Sequence, residues 1–307
     1  MNRYIHEPVM VGEVIEALEI KKGGVYVDLT LGGAGHFKKI IEKLETGIVI
    51  GIDKDDKAIA NALEEFGPFQ KQSDHYIREK GSLTIIIYQG NYSNLKQLLI
   101  DLKIDKVNGI LADLGLATDQ YQSGLGLSYL EDSPLDMRME QGLMVTAADL
   151  LNGLYFKELI LLFKDLGDIS FAKRLAKEVV EQRMMEPFKT TKQLVAIVQK
   201  IVPFRSRTGT NKHPEAKVFQ ALRIAVNREQ YHLQQLLPQA YEALAPGGVL
   251  VVISFHSGED RLVKQFFLAL AQQKKCELLI KLAKPSRAEI EKNLRSHSAK
   301  LRAIRKI

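Results

Sequence analysis

Short apolar runs alternate with helical patterns through the first third of the chain, and this alternation constrains the fold more than any other feature. The runs with the length and residue types of buried strands are VYVDLT at 25–30, GIVIGID at 47–53, LTIIIYQG at 83–90 and VNGILADLG at 107–115. A further run, GGVLVVISF at 247–255, comes much later. Strand–helix alternation of this kind predicts an α/β fold with a doubly wound, mostly parallel sheet and helices on both faces.

The interval between the fourth and fifth strands has a different character. Residues 116–135 are rich in Gly, Ser, Asp and Tyr, which predicts a long loop, and from 146 to about 202 only helical periodicity occurs. A long helix is predicted from Pro214 to about Leu244. We therefore predict a first part of the sheet domain at 1–115, an inserted loop and helical domain at 116–212, and a second part of the sheet domain with a basic end at 213–307.

The positive charge of the chain is concentrated near its end. The net charge is +6, but residues 281–307 contain nine Lys or Arg residues against two acids, so the rest of the chain sums to −1. A basic patch confined to one segment is typical of a protein that binds a polyanion such as a nucleic acid. A solvated surface tail is the alternative interpretation.

Other features of the composition bear on the cellular compartment. The single cysteine, Cys276, excludes an internal disulfide and favours a reducing compartment. No apolar run approaches membrane-spanning length, and the beginning of the chain, MNRYIHEPVM, lacks the apolar core of a signal peptide. We expect a cytoplasmic protein with no membrane partner.

The stretch DLTLGGAGHF, residues 28–37, predicts a ligand site between a strand and a helix. It lacks the third glycine of the dinucleotide fingerprint and the Gly-Lys-Ser/Thr ending of a P-loop, which weakens NAD and ATP as ligands. Asp28 ends the first strand, Asp53 the second and Asp113 the fourth, and ligands of open α/β sheets gather at such carboxyl ends.

An acid at the end of the second strand suits ribose hydroxyls. An acid beside the glycine turn suits a ligand with a positive amino group and no pyrophosphate. The residues therefore favour S-adenosylmethionine (SAM) and methyl transfer. Another nucleotide-dependent enzyme and a non-catalytic binder remain as alternatives.

Several further motifs stand in one order along the chain. They are HEPVM (6–10), DLTLGGAGH (28–36), ADLG (112–115), SPLDMRM (133–139), HPEAKVFQALRIAVNRE (213–229), PGG (246–248), ISFHSGEDR (253–261) and SAKLR (298–302). Together they closely resemble the bacterial 16S ribosomal RNA (cytosine-N4)-methyltransferase family. The resemblance implies a Rossmann-like SAM-dependent methyltransferase fold with an inserted all-helical domain. It also implies methylation of the N4 amine of one cytosine in small-subunit ribosomal RNA, at the decoding centre.

The resemblance carries the cofactor contacts onto matching positions of this chain. The implied contacts are Ala34, Gly35, His36, Asp53, Tyr92, Asp113 and Gln120. The chain departs from the usual family residues at Ala34, where a glycine is usual, and after the fourth strand at Ala117, Thr118 and Leu125.

Asp113 and His256 are the candidate catalytic residues. Methyl transfer from a sulfonium is an in-line displacement, so most of the catalysis is positioning. An acceptor beside the cytosine amine would hold a hydrogen and turn the nitrogen lone pair toward the methyl group, and we assign this role to Asp113. A purely cofactor-binding role for Asp113 is the alternative.

A second set of residues is assigned to the RNA substrate. These are Arg138, Gln220, Arg223, Asn227 and Ser257, of which Gln220, Arg223 and Asn227 are spaced to share one helix face. The structural alternatives are an Asp136–Arg138 pair, a solvated helix face, and a helix cap at Ser257 with Asp260 three residues on.

The expected partners follow from the same reading. The helical insert and the basic C-terminal segment would bind ribosomal RNA. A homodimer is considered as the assembly of the protein. The seven histidines and one cysteine show no metal-ligand spacing, so no metal is predicted. Alternatives to the assigned reaction are a diverged amino-methyltransferase for another RNA or DNA and a non-catalytic assembly factor.

Overall fold

The computed structural model describes residues 8–115, 124–140, 142–203 and 213–307. The chain separates into two compact units, the first formed by Met1–Ala117 with Gln230–Ile307 and the second by Thr118–Glu229. The first unit contains the sheet, and the described part of the second unit is helical. The sequence prediction put the boundaries at 115 and 212, whereas the compact units part at 117 and 229.

The sheet of the first unit is mixed, with a parallel centre. Its strands are β1 Val25–Asp28, β2 Gly47–Asp53, β3 Gln70–Gln72, β4 His75–Lys80, β5 Leu83–Gln89, β6 Val107–Asp113, β7 Leu244–Ser254, β8 Cys276–Ala283 and β9 Lys300–Lys306. The order across the sheet is β3-β4-β5-β2-β1-β6-β7-β9-β8. Pairing is parallel from β5 through β2, β1 and β6 to β7, and antiparallel outside that block. The predicted doubly wound, mostly parallel sheet is confirmed.

The helices follow the predicted alternation. They are α1 Val11–Leu18, α2 Gly35–Leu44, α3 Asp56–Phe66, α4 Leu95–Asp101, α5 Ala147–Gly153, α6 Phe156–Leu161, α7 Ala172–Met185, α8 Thr191–Ile201, α9 Pro214–Val226, α10 Glu229–Ala243, α11 Ser257–Gln272 and α12 Arg287–Lys292. Short 3₁₀ turns occupy Tyr92–Asn94 and Leu294–Ser298, and a π-helical turn at Leu162–Leu166 follows α6.

Each face of the sheet has its own hydrophobic core, because successive strand residues point to opposite sides. Tyr26 of β1 belongs to the cluster that contains residues of α1, α2 and α3. Val27, the next residue, belongs to the cluster that contains residues of α4, α10 and α11. Both side chains are 1% exposed, so β1 is buried on both faces, as the continuous apolar pattern of its sequence requires.

The second unit has a core of its own. Its buried residues come from α5 to α9 and from the segments that flank these helices. Phe163 of the π-helical turn, Leu175 of α7 and Leu222 of α9 are fully buried. Helix α5 begins with a capping box in which Thr146 and Asp149 exchange side chain–backbone hydrogen bonds, and α8 begins with the corresponding pair Thr190 and Gln193. Helices are thus found where helical periodicity was predicted.

The structure corrects one prediction about residues 213–307 and excludes one alternative interpretation. The long helix from Pro214 to Leu244 is two helices, because Arg228 adopts a left-handed conformation with φ of 50° between α9 and α10. The basic end is not a surface tail, since β9 pairs with β7 on one side and with β8 on the other.

Other elements were not predicted from the sequence. They are α1, the β3–β4 hairpin and strand β8. Within the described ranges, the structure contains no helix long and apolar enough to cross a membrane.

Candidate active site

The strand order of the sheet reverses at β1, and the carboxyl ends of the parallel strands lie at one edge. From β1 the strand order runs outward through β2 and β5, then returns to β6 on the other side of β1. Such a switch point is where open α/β sheets bind ligands. Asp28 ends β1 and Asp113 ends β6, so two carboxyl groups stand at this point.

The glycine loop turns from β1 into α2 by means of left-handed backbone conformations. Gly32 has φ of 47° and Ala34 has φ of 58°, and Ala34 is the cap residue of α2. A left-handed alanine is strained by roughly 1–2 kcal/mol, which explains why glycine suits this position. A Cβ added to Gly35 would lie 2.6 Å from Pro8 Cγ, so the loop needs a glycine there to accept the preceding segment.

Asp53 ties the glycine loop to the end of β2. Its Oδ2 accepts a hydrogen bond from the Gly32 N–H at 2.8 Å, and its Oδ1 accepts one from the Asp55 N–H at 3.0 Å. Burial raises the pKa of the Asp53 carboxyl, and the two backbone donors oppose that shift. Two carboxylate oxygens have further acceptor capacity, so Asp53 can hold the loop and still accept a ligand hydroxyl.

Asp28 and Asp113 are linked through Thr30. The Asp113 N–H donates to Thr30 Oγ1 at 2.7 Å, and the Thr30 N–H donates to Asp28 Oδ1 at 3.1 Å. Asp28 is 1% exposed, and its buried Oδ2 has no hydrogen-bond partner within the described residues. Burial raises the pKa of Asp28 well above its usual range, and the neighbouring Asp113 and Asp53 raise it further.

His36 faces Asp113 from the first turn of α2. Its Nε2 lies 2.9 Å from the Val9 carbonyl oxygen, which can only accept, so Nε2 carries the hydrogen. Burial lowers the pKa of the ring to about 4, so the ring is neutral at pH 7 and Nδ1 is an acceptor. Nδ1 lies 3.6 Å from Asp113 Oδ2. Two acceptors that face each other cannot bond directly, whereas an N–H donor placed between them satisfies both.

His256 caps a helix at the same edge of the sheet. It is the cap residue of α11, where its Nδ1 accepts from the Glu259 N–H at 3.3 Å and its Nε2 lies 3.1 Å from Glu259 Oε1. The helix cap considered at Ser257 is therefore wrong by one residue, and Ser257 is the first helical residue. Asp260, the presumed box partner, instead accepts from Arg302 Nε at 2.7 Å and from Lys300 Nζ at 3.2 Å.

Of the two remaining predicted cofactor residues, Tyr92 is described by the structure and Gln120 is not. Tyr92 begins the 3₁₀ turn after β5 and is half-buried against the core, at the carboxyl edge of that strand. Gln120, like Ala117 and Thr118, lies outside the described residues. The first unit thus brings Ala34, Gly35, His36, Asp53, Tyr92 and Asp113 to one edge of the sheet.

The predicted substrate residues of the second unit make internal contacts. Arg138 forms a bidentate pair with Asp136, with both N–O distances at 2.7 Å, and these bonds hold the pKa of Asp136 below its usual range. Arg223 forms a similar pair with Glu229 at 2.9 and 3.0 Å.

Asn227 and Gln220 occupy contrasting positions on the same helix. Asn227 is 1% exposed, and its side chain bonds to the backbone of Met137, Met139 and Arg223. These bonds fix the segment around Arg138 against the end of α9. Gln220 is half-buried on α9.

Comparison with known proteins gives one consistent result. Residues 3–307 match the MraW methylase family. The chain belongs to this family. Relatives include the protein named ribosomal RNA small subunit methyltransferase H in Carboxydothermus hydrogenoformans, which is 40% identical over 321 residues covering 99% of this chain and 98% of the relative. The protein of the same name in Clostridioides difficile is 38% identical over 320 residues covering 98% of this chain and 99% of the relative.

A third relative covers the full length as well. The ribosomal RNA small subunit methyltransferase H of Caldicellulosiruptor saccharolyticus is 40% identical over 322 residues, which cover 99% of this chain and 100% of the relative. Membership of a methylase family confirms the family that the sequence motifs resembled and does not favour a non-catalytic binder.

The donor set of this methylase fits SAM. The cofactor carries a positive sulfonium and, in its amino acid part, a positive ammonium group, and the described edge presents carboxyl groups from Asp28, Asp53 and Asp113. Asp28 Oδ2, which has no hydrogen-bond partner within the described residues, and Nδ1 of His36 are available to polar groups of the cofactor or the substrate. A pyrophosphate, in contrast, would be repelled by these carboxyl groups.

Sequence reasoning did not identify the residues that support this site. Thr30 links Asp28 to Asp113, Val9 fixes the ring of His36, and Glu289 accepts from the Met10 N–H at 2.7 Å beside it. Thr30 could have been found, because it follows the strand-ending acid directly. Val9 and Glu289 could not, since both act through long-range contacts that no local pattern encodes.

Proposed function

We propose that this protein transfers a methyl group from SAM to the exocyclic N4 amine of a cytosine in small-subunit ribosomal RNA. The relatives at 38–40% identity are named as ribosomal RNA small subunit methyltransferases, which supports the substrate. The sequence motifs of the cytosine-N4 family support the choice of base and atom.

The observation that carries the proposal is the acceptor pair at the switch point. His36 Nδ1 and Asp113 Oδ2 lie 3.6 Å apart, and both are held by backbone contacts of their own. Two fixed acceptors favour an amine, which can donate to both of them, over a hydroxyl, which has one hydrogen to donate, and they disfavour a phosphodiester, which only accepts. This is the selectivity that methylation of an amine requires.

The residues of the chain act mainly by positioning. SAM, when bound, supplies an electrophilic methyl group. Asp113 accepts a hydrogen bond from the cytosine amine, and this bond turns the nitrogen lone pair toward the methyl carbon. As the C–N bond forms, the nitrogen loses a proton, and the Asp113 carboxylate takes up that proton. His36 stays neutral, so its Nδ1 can accept a hydrogen bond from the amine beside Asp113, and Asp53 holds the glycine loop in place.

The remaining assignments stay predictions. Gln120, Gln220, Arg138, Arg223, Asn227 and Ser257 retain their proposed ligand roles, and His256 is proposed to orient the start of α11 beside the reacting groups. We also propose that the helical segment at 116–212 recognises the RNA and that the protein works in the cytoplasm, with a homodimer as the assembly to be checked by sedimentation.

The test is methyl transfer to unmethylated small ribosomal subunits with SAM that carries a labelled methyl group. Asp113→Asn should lower the rate on the order of 10²- to 10⁴-fold, because it replaces an acceptor with a donor at the amine. Asp105→Asn, an exposed acid near the opposite end of the same strand, is the matched control and should react like the wild type.

The labelled nucleoside is then identified by mass spectrometry, and SAM affinity is measured separately by calorimetry. Label on N4-methylcytidine, lost in Asp113→Asn but not in the control, would support both the substrate and the residue. Label on another nucleoside would refute the assigned base, and an Asp113→Asn variant with wild-type rate would refute the role of Asp113.

A further inference from the structure

The basic end of the chain divides into two parts with different roles. The cations of β9 form ion pairs and hydrogen bonds with other groups of the same protein. Lys300 and Arg302 both pair with Asp260, Arg305 pairs with Glu19, and Lys306 Nζ donates to three backbone carbonyls. The cations of β9 therefore contribute little to an external partner.

The cations before β9 are exposed instead. We define the β8–β9 connection as residues 284–299, which contains α12 and the second 3₁₀ turn. Lys284, Arg287, Lys292 and Arg295 are exposed there, and Arg287 is paired with Glu291 at 3.4 Å. The exposed charge of the basic end thus belongs mainly to this connection.

The connection lies at the carboxyl edge of the sheet. Strand β8 is antiparallel to β9, which is antiparallel to β7, so β8 ends at the same edge as β7. Glu289 of α12 accepts from the Met10 N–H at 2.7 Å, and the neighbouring Val9 carbonyl holds His36. The connection is therefore adjacent to the segment that orients the acceptor pair.

The connection is also rigidly attached. Pro285, Ser296 and Ala299 are buried, Ser286 Oγ caps α12 through the Glu289 N–H at 3.1 Å, and Ser296 Oγ donates to the Asn293 carbonyl at 2.8 Å. Exposed cations on an ordered support lose less conformational entropy on binding than cations on a free tail.

We propose that Lys284, Lys292 and Arg295 of the β8–β9 connection bind the phosphate backbone of the RNA beside the target nucleotide. The inference rests on the proposed function, because it assigns the phosphate contacts of that same substrate. The site needs these cations, because a carboxylate that attracts a sulfonium and an amine also repels the phosphates of RNA. Cations of the β8–β9 connection offset that repulsion for RNA phosphates that lie next to them. They do not neutralise the carboxylates, because salt screens exposed charges beyond about 8–10 Å at physiological ionic strength.

The test is a triple variant, Lys284→Gln, Lys292→Gln and Arg295→Gln, whose binding to unmethylated small ribosomal subunits is measured between about 50 and 200 mM salt. Each lost phosphate contact should reduce the slope of log affinity against log salt by about 0.7–0.9, so the slope of the triple variant should be smaller by about 2.1–2.7. Its affinity should fall on the order of tenfold or more at physiological salt, while SAM affinity stays that of the wild type.

A matched control removes the same charge at the opposite edge. Lys80, Lys103 and Lys274 are exposed and precede β5, β6 and β8, and their triple change to Gln should leave the slope unchanged. If the two triple variants have equal slopes, the assigned surface is wrong while methyl transfer by the wild type still stands. If the slopes of the wild type and of the first triple variant differ as predicted but the wild type transfers no methyl group, the proposed function is wrong and the assigned RNA surface is supported.

Discussion

At the scale of single residues, burial decides which protonation states the site can use. His36 and Asp28 are both almost completely enclosed, at 5% and 1% exposure, and burial favours the neutral form of each. For a histidine this lowers the pKa and for a carboxyl it raises the pKa. Neutral His36 gains an acceptor nitrogen in this way, which a protonated ring would lack.

The protonation of His36 predicts a pH dependence of stability. Its pKa is about 4 in the folded state and near 6.5 in the unfolded chain, so only the unfolded chain takes up the proton between these values. Above about pH 6.5 the free energy of unfolding is therefore not reduced by the protonation of this histidine. As the pH drops toward 4, the free energy of unfolding falls by about 3 kcal/mol on account of this group. The shift holds although Glu289 and the hydrogen bond to Val9 favour the charged ring.

The measurement compares unfolding free energies at pH 7 and pH 4. In His36→Gln the difference between the two pH values should be smaller than in the wild type by about 3 kcal/mol. His297→Gln, at an exposed histidine, is the control and should keep the wild-type difference. A His36→Gln variant that loses as much stability on acidification as the wild type would contradict the assignment of a neutral buried ring.

At the scale of elements, the C-terminal strand holds two helices in place. Asp260 of α11 accepts from Arg302 and Lys300 of β9, and although burial alone would raise the pKa of Asp260, these cations lower it. At the other end of β9, Lys306 Nζ donates to the carbonyls of Tyr241, Glu242 and Leu244, where α10 ends. The last carbonyl groups of a helix have no partner within it, so Lys306 serves as the cap of α10.

Replacement of this cap should weaken the first unit. Lys306→Met keeps the apolar stem but removes the donor, and we expect a loss of about 2 kcal/mol of unfolding free energy, because the hydrogen bonds come from a charged group. Urea denaturation should show a lower midpoint with an unchanged m-value. Lys80→Met, at an exposed lysine on β4, is the control, and equal midpoints for the two variants would show that Lys306 does not cap α10.

At the scale of the whole molecule, the residues proposed to bind the cofactor and placed by the structure belong to one compact unit. Ala34, Gly35, His36, Asp53 and Asp113 all lie in Met1–Ala117, whereas α5 to α9 form a core that contains none of them. A ligand stabilises the unit that binds it by RT ln(1 + [L]/Kd), where [L] is the free ligand concentration. Cofactor binding should therefore act on the two units unequally.

Hydrogen exchange with and without SAM measures this directly. Amides of the glycine loop, of α2 and of the ends of β2 and β6 should exchange more slowly in the presence of SAM, by up to about 100-fold at 100 times Kd. Core amides of α7 and α8 in the second unit should change little. Equal protection in both units would indicate that the cofactor is also held by residues of the second unit.

The sequence by itself determined the parallel centre of the sheet and the place of the site. Continuous apolar runs such as VYVDLT indicate strands that are buried on both faces, and the acid in or after each run marks the end of the strand. Both signals are local, so they can be recognised in the sequence alone. The predicted cofactor residues of the first unit follow strand ends, so local signals are enough to place them at one edge of the sheet.

The tertiary structure alone decided the rest. Polar, charged strands such as β9 and the β3–β4 hairpin form because partners distant in sequence pair with them, and no local pattern encodes such partners. The break at Arg228 and the cap at His256 likewise depend on backbone conformation. Most of all, the carbonyl of Val9 chooses the tautomer of His36, and burial chooses its charge. The sequence places a histidine at the site, but only its enclosure makes that histidine an acceptor.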